Sequence, residues 1–335
     1  MEKEVGAMGR HPGPRRPAGG ARSTRIWLPS RPQLLMTIAA ATLVLTTAVP
    51  ATAHDRWVQP YSPVVTSGQV AYFDIMLGNH SNEHRSYRLA GKPGREGLDV
   101  LVIGPDGQRT SLNDTLFDTG EADDTPPAGP KGYLCGSFVP QSEGTYIVAA
   151  TADAVLQHGD EPPFRSLSLA KTVVMAASSL PATASNVEGY DRPVADDRLE
   201  IVPKVNPAAL FPGEEVRLQI LLKGEPLSGQ KVAVIRRSTS EFKEYETDSQ
   251  GMIRFPAGEP DYYLVRLEYD SPQEKQTGQY EKTTYEATFT YAVQRPAAGK
   301  VGGQRAADRV PGWAWLVAGG LLGVAGSAIG GRWRR

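Results

Sequence analysis

Three histidines that lie near one another in the sequence are the residues best suited to chemistry in this chain: His54, His80 and His84. His54 follows Ala51-Thr-Ala53, the pattern of small residues at which signal peptidase cuts. Cleavage after Ala53 would make His54 the first residue, and its α-amine and imidazole Nδ1 would then form a chelating pair. With nitrogen from the other two histidines, this predicts a thiol-free site for nickel, cobalt or copper.

Three further residues are weaker candidates for the same metal site. Asp55 would orient His54 by a hydrogen bond, and Glu83 lies between the other two histidines. His158 lies in Gln157-His-Gly-Asp160, a sequence typical of a surface turn. The alternative interpretation is that all of these are ordinary solvated residues at loop ends.

Both ends of the chain have the features of an exported membrane protein. Residues 1–53 combine a basic leader with the apolar stretch Leu34–Val49 and the cleavage pattern, which predicts a signal peptide. Trp313–Gly331 is a run of 19 residues without a charge, and three arginines follow it. The positive-inside rule then predicts a single-pass transmembrane helix with residues 332–335 as a cytoplasmic tail. The bulk of the chain would be periplasmic or at the cell surface.

Charge and cysteine content limit the classes of ligand. Between His54 and Val310 there are 26 Lys and Arg against 35 Asp and Glu, a net charge of −9. Such a surface repels nucleic acid and attracts cations. Cys135 is the only cysteine, which excludes an intramolecular disulfide and a cysteine-based metal cluster; we interpret it as a small buried hydrophobic residue. No hydrolase, zinc-protease or nucleotide-binding motif is present, and nothing in the sequence predicts an enzyme.

The elements that must position these histidines are β-strands. Strand-like runs separated by turn signals fill the region between the two ends, with little helical periodicity. The pattern predicts an all-β fold of two tandem antiparallel β-sandwiches, immunoglobulin-like or prealbumin-like, plus one C-terminal transmembrane helix. The predicted segments are a first sandwich at 54–176, a linker at 177–197, a second sandwich at 198–293, a flexible tether at 294–312 and the helix at 313–331.

Eleven runs are predicted to be strands. They are Gln69–Leu77, Leu98–Ile103, Gly132–Val139, Thr145–Thr151, Leu167–Met175, Arg198–Pro203, Glu215–Leu222, Lys231–Arg236, Ile253–Pro256, Tyr262–Tyr269 and Thr284–Val293.

Two regions resemble known families. Asn206–Gly213, Gly224–Val234 and Thr247–Phe255 resemble the transthyretin-like modules of bacterial surface proteins. Ala53-His-Asp-Arg-Trp57 and Gly78-Asn-His-Ser-Asn-Glu-His84, together with that second domain and the anchor, resemble a periplasmic family of unknown function known as nickel-uptake substrate-specific transmembrane region. The resemblance implies an association with nickel or cobalt uptake.

We therefore expect a membrane-anchored extracytoplasmic metal-binding accessory protein, linked to the uptake or handling of nickel, cobalt or copper. Its partner would be a membrane transporter subunit, contacted through the transmembrane helix. The alternative is a structural or adhesive surface module that binds protein or polysaccharide. A copper oxidase is disfavoured, because the sequence shows no flat aromatic face for a substrate.

Overall fold

The computed structural model describes residues 54–79, 87, 89–120, 132–178 and 187–296. The predicted signal peptide, transmembrane helix and basic tail, and most of the tether, lie outside the described residues. Within the described ranges, no helix is long and apolar enough to cross a membrane.

Nearly all regular structure in the described residues is β-strand, which confirms the all-β prediction; one 3₁₀ helix spans Asn113–Thr115. The strands are β1 (His54–Pro60), β2 (Val64–Thr66), β3 (Ala71–Asn79), β4 (Leu89–Gly91), β5 (Leu98–Ile103), β6 (Arg109–Ser111), β7 (Phe117–Asp118), β8 (Leu134–Phe138), β9 (Gly144–Leu156), β10 (Phe164–Ala177), β11 (Leu199–Pro203), β12 (Glu215–Leu222), β13 (Glu225–Pro226), β14 (Lys231–Arg236), β15 (Phe242–Glu246), β16 (Met252–Pro256), β17 (Asp261–Ser271) and β18 (Thr283–Val293). Each predicted run forms a strand, and β5, β12 and β14 have the predicted bounds.

The strands form three sheets. Sheet A has the order β1-β3-β8-β7, with β4 also paired to β3. Sheet B is the largest, with the order β15-β14-β17-β18-β10-β9-β5-β6 and β2 paired to β10. Sheet C has the order β11-β12-β13, with β16 also paired to β12.

Sheet B contains strands from both of the regions that the sequence predicts as separate sandwiches. Its parallel pair β10–β18 runs from Arg165 opposite Thr283 to Thr172 opposite Thr290. The two regions therefore share a sheet and its hydrogen bonds. Residues of the predicted linker are also held in place, because the Glu200 carboxylate accepts hydrogen bonds from the backbone amides of Val194 and Ala195.

The core lies on both faces of sheet B. In β10, Leu169 and Val173 pack in a cluster with residues of sheet C, whereas Ala170 and Val174 pack in a cluster with residues of sheet A. Successive side chains of a strand point to opposite faces, so alternate residues of one strand serve two cores. Sheet B is thus the middle layer of the structure.

Strand β1 is the edge strand of sheet A, and its free edge lies against β18. The Thr288 hydroxyl donates a 2.7 Å hydrogen bond to the Arg56 carbonyl, and the Thr290 hydroxyl donates one to the Val58 carbonyl. These bonds satisfy carbonyls that an edge strand otherwise leaves open to other chains. They also fix the side chains of β1 over the charged residues of β17 and β18.

Candidate functional site

Of the predicted histidine ligands, His54 lies in a described strand: it is the first residue of β1, which pairs with β3. His54 lies opposite Asn79 in an antiparallel register. His80 is the next residue in the chain. His80, Glu83 and His84 themselves lie outside the described residues.

Asp55, the next residue of β1, is buried and bound to an arginine. Its carboxylate meets the Arg266 guanidinium at two points, with Nε–Oδ2 at 2.8 Å and Nη2–Oδ1 at 3.0 Å. Arg266 Nη2 also lies 3.6 Å from Glu268 Oε2 on the same strand, β17. A buried charge needs such a partner because its desolvation is costly. Asp55 therefore neutralises Arg266, a role that the sequence did not predict for it.

The Arg56 side chain contacts β10, which pairs with β18 on the side opposite β17. Its Nη1 donates a 2.9 Å hydrogen bond to the Ser168 hydroxyl. Ser168 lies opposite Glu286 of β18, and Glu286 lies opposite Glu268 of β17. Burial lowers the pKa of Arg56, and the neighbouring Glu286 opposes this shift. The row Ser168–Glu286–Glu268, which crosses β10, β18 and β17, thus carries a hydroxyl and two carboxyl groups, with the Arg56 guanidinium beside it. We call it the charged row.

Glu286 is the most perturbed acid of this row. Burial, and next the negative charges of Asp55 and Glu268, raise its pKa to about 8, while Arg56 and Arg266 act in the opposite direction. Burial also raises the pKa of Glu268. Glu286 therefore holds its proton at neutral pH when nothing else neutralises it.

A cavity of about 590 Å³ opens over this row. Arg56, Glu268 and Glu286 line its polar side, and Leu156 and Phe164 belong to its apolar wall. The volume is within the range of small-molecule sites.

His158 also lines this cavity, and its ring lies 5.2 Å from that of Phe164, between centroids. His158 therefore packs on an aromatic ring next to the charged row. Among the described residues, no group of three or more His, Cys, Asp or Glu side chains has the geometry to hold a metal ion.

Cys135 differs from its prediction as a buried hydrophobic residue. It is half-buried, and its Sγ lies 3.9 Å from the Tyr61 hydroxyl. On β8 it alternates with Leu134 and Gly136, which are buried, so its side chain is on the less covered face. Burial raises the pKa of its thiol, which favours the unreactive protonated form.

Comparison with protein-family models gives a match over most of the chain. Residues 51–271 match the model of a family described as a domain of unknown function, DUF4198. This chain belongs to the DUF4198 family. The DUF4198 region includes β1 and β17, and hence Asp55, Arg266 and Glu268, whereas Glu286 lies beyond it. The link to nickel uptake stays a prediction, and no curated protein matches the chain.

Similar solved structures are distant from this DUF4198 protein. The D0-D1 domain of intimin is 9% identical, with 72% of this chain and 100% of that chain covered, at a TM-score of 0.21. A DUF4785 family protein from Legionella pneumophila is 12% identical, with 69% and 55% covered, at 0.23. Escherichia coli alpha-2-macroglobulin is 12% identical, with 72% and 20% covered, at 0.22.

Proposed function

We propose that this protein is an exported, membrane-anchored accessory protein that binds one divalent transition metal ion at the start of its mature chain. The ligands are the α-amine and imidazole of His54, with His80 and His84. The observation that supports this most is the β1–β3 register, because it sets the backbone of His54 opposite the residue that precedes His80.

The charges around the start of β1 also favour a cation there. Arg266, the arginine that contacts Asp55 from the neighbouring sheet, is already neutralised by that carboxylate. The region between His54 and Val310 carries a net charge of −9. An acidic protein attracts divalent cations, and imidazole nitrogen then selects nickel, cobalt or copper over magnesium or calcium.

Membrane attachment belongs to the same proposal. The signal peptide at 1–53 exports the chain, the helix at 313–331 keeps it at the membrane, and a transporter subunit contacts that helix. The protein acts by binding and presenting a metal ion, without catalysis.

Calorimetric titration of the purified mature protein with nickel, cobalt and copper tests the proposal. We expect one ion per chain, with copper bound most tightly, as the Irving–Williams order requires. His80→Ala should weaken binding, and one extra residue before His54 should weaken it comparably because the α-amine then leaves the chelate. His158→Ala is the matched control and should bind like the wild type.

Binding should also weaken below about pH 6, because imidazole has an unperturbed pKa of ~6.5 and must be neutral to bind a metal. If His80→Ala and the extended variant bind metal like the wild type, the histidines are ordinary surface residues. A structural or adhesive module would then be the better interpretation.

A further inference from the structure

We propose that the cavity over Glu268 and Glu286 is a second binding site, for a small organic amine with an apolar chain. Nothing in the proposed metal function requires this cavity. Its ammonium end would lie against the two carboxylates, and its apolar chain would lie along the wall that contains Phe164.

The charge of the cavity favours a cation. Five glutamates line it, whereas the cationic side chains of the lining are Arg56 and Lys282, with His158 as a further ionisable group. Acids therefore outnumber arginine and lysine in the lining. Lys282 is also neutralised by Asp270, with Nζ–Oδ2 at 2.5 Å. A cationic ligand would restore the balance of charge.

Among the acids that line the cavity, Glu286 is half-buried and the others are exposed. Within the described part of the chain it forms no ion pair, although it is largely surrounded by protein and lines the cavity. Its only hydrogen bond to a described side chain is the long one, 3.4 Å, from the Ser166 hydroxyl. Burying a carboxyl group that has no ion pair is costly, and this cost raises its pKa; the charges of Arg56 and Arg266 offset only part of the shift. A ligand ammonium would supply the missing charge.

The arrangement of acceptors suits an ammonium group, which donates three hydrogen bonds. Glu268 and Glu286 are directly opposite on neighbouring strands. The hydroxyl groups of Ser166 and Thr284 also line the cavity beside them. Two carboxylates and a hydroxyl can thus accept the three N–H groups.

The apolar residues of the cavity lining favour a ligand whose ammonium group carries an apolar chain. Leu77, Ala154, Leu156 and Pro163 line the cavity together with Phe164. The Phe164 ring already has a cation above it, because Lys282 Nζ lies 5.7 Å from its centroid. A metal ion fits this lining less well, because Mg²⁺ and Ca²⁺ require a shell of oxygen ligands and much of the wall is hydrocarbon.

Calorimetric titration of the purified full-length protein with hexylamine, at pH 8.5, tests this inference. That pH is above the Glu286 pKa of about 8, so this acid is mostly ionised, and an alkylamine, like lysine with a pKa of ~10.4, is still protonated. The same protein is titrated with hexanoate, hexanol and magnesium chloride. We expect binding of hexylamine only, weakened about tenfold or more by Glu286→Gln and by Glu268→Gln. Glu246→Gln, at an exposed position of β15, should leave the affinity unchanged.

Circular dichroism of each variant shows whether it is folded, and Phe164→Leu gives a second readout that leaves every acid in place. This variant should bind hexylamine more weakly, because it removes the aromatic ring. Binding of hexanoate or hexanol as tight as that of hexylamine would overturn the proposal. So would folded Glu286→Gln and Glu268→Gln variants with the affinity of Glu246→Gln, or no binding of hexylamine at all.

Discussion

Asp55 of β1 and Arg266 of β17, 211 residues apart in the chain, form a two-point ion pair in the protein interior. The pair attaches the edge strand of sheet A to the middle layer. It also fixes the position of β1 just after His54, the residue on which the proposed metal site depends.

Replacing Asp55 by Asn should lower the free energy of unfolding by about 3–5 kcal/mol, because the buried Arg266 would lose its two-point partner and keep only the longer contact with Glu268. Urea denaturation followed by circular dichroism measures this. Asp153→Asn is the matched control, since Asp153 pairs with Arg165 at the surface, where both side chains are more than a third exposed. An exposed pair contributes about 1 kcal/mol or less. Equal losses in the two variants would contradict the importance of the buried pair.

The contribution of Glu286 to stability should fall as the pH rises from 4.5 to about 8. The folded protein holds the Glu286 proton up to a pKa of about 8, whereas an ordinary glutamate releases it near 4.5. Protons bound more tightly by the folded state stabilise it at low pH, and this stabilisation is lost as the pH rises through the folded pKa. Denaturation of the wild type and of Glu286→Gln across this range measures the difference.

In that comparison, the variant should lose less stability than the wild type between pH 5 and pH 8, because glutamine does not titrate. Glu246→Gln should follow the wild type. Parallel curves for all three proteins would show that Glu286 titrates as an ordinary exposed acid.

Much of the fold follows from strand periodicity. Runs such as Glu215–Leu222 alternate polar and apolar residues, and they form strands with the predicted bounds. The sharing of sheet B was not predictable, because the parallel pairing of β10 with β18 depends on contacts between distant residues. Nor was β1 predicted, since Asp55 and Arg56 make its sequence look like a loop.

The charged residues of β17 and β18 were not predicted from the sequence for a related reason. Arg266 and Glu268 alternate with apolar residues in β17, as Glu286 does in β18, and such alternation normally indicates a solvent-exposed face. Here β1 covers part of that face. Only the three-dimensional structure shows that these charges meet one another below another strand. The histidines, in contrast, could be singled out by residue type and spacing alone.

Signal peptidase should cut after Ala53, because Ala51 and Ala53 occupy the small-residue positions after an apolar core. Mass spectrometry of the protein extracted from membranes should give an N-terminal peptide that begins at His54. A peptide that includes residues before His54 would remove the α-amine from the proposed chelate.

A protease added to intact spheroplasts should degrade the region between His54 and Val310 and leave a tag at Arg335 protected. This follows from the apolar run Trp313–Gly331 and the arginines after it. Permeabilised cells serve as the control, since the tag should then be degraded as well. A protected ectodomain with an accessible tag would reverse the orientation.

Electron paramagnetic resonance of the copper(II)-loaded mature protein tests the proposed metal site most directly, because nitrogen ligands split the copper signal. We predict nitrogen couplings from the α-amine and imidazoles, altered by ¹⁵N-labelled histidine and reduced in His80→Ala. A signal without nitrogen coupling, or one identical in His80→Ala and in the variant with an extra residue before His54, would contradict the proposal.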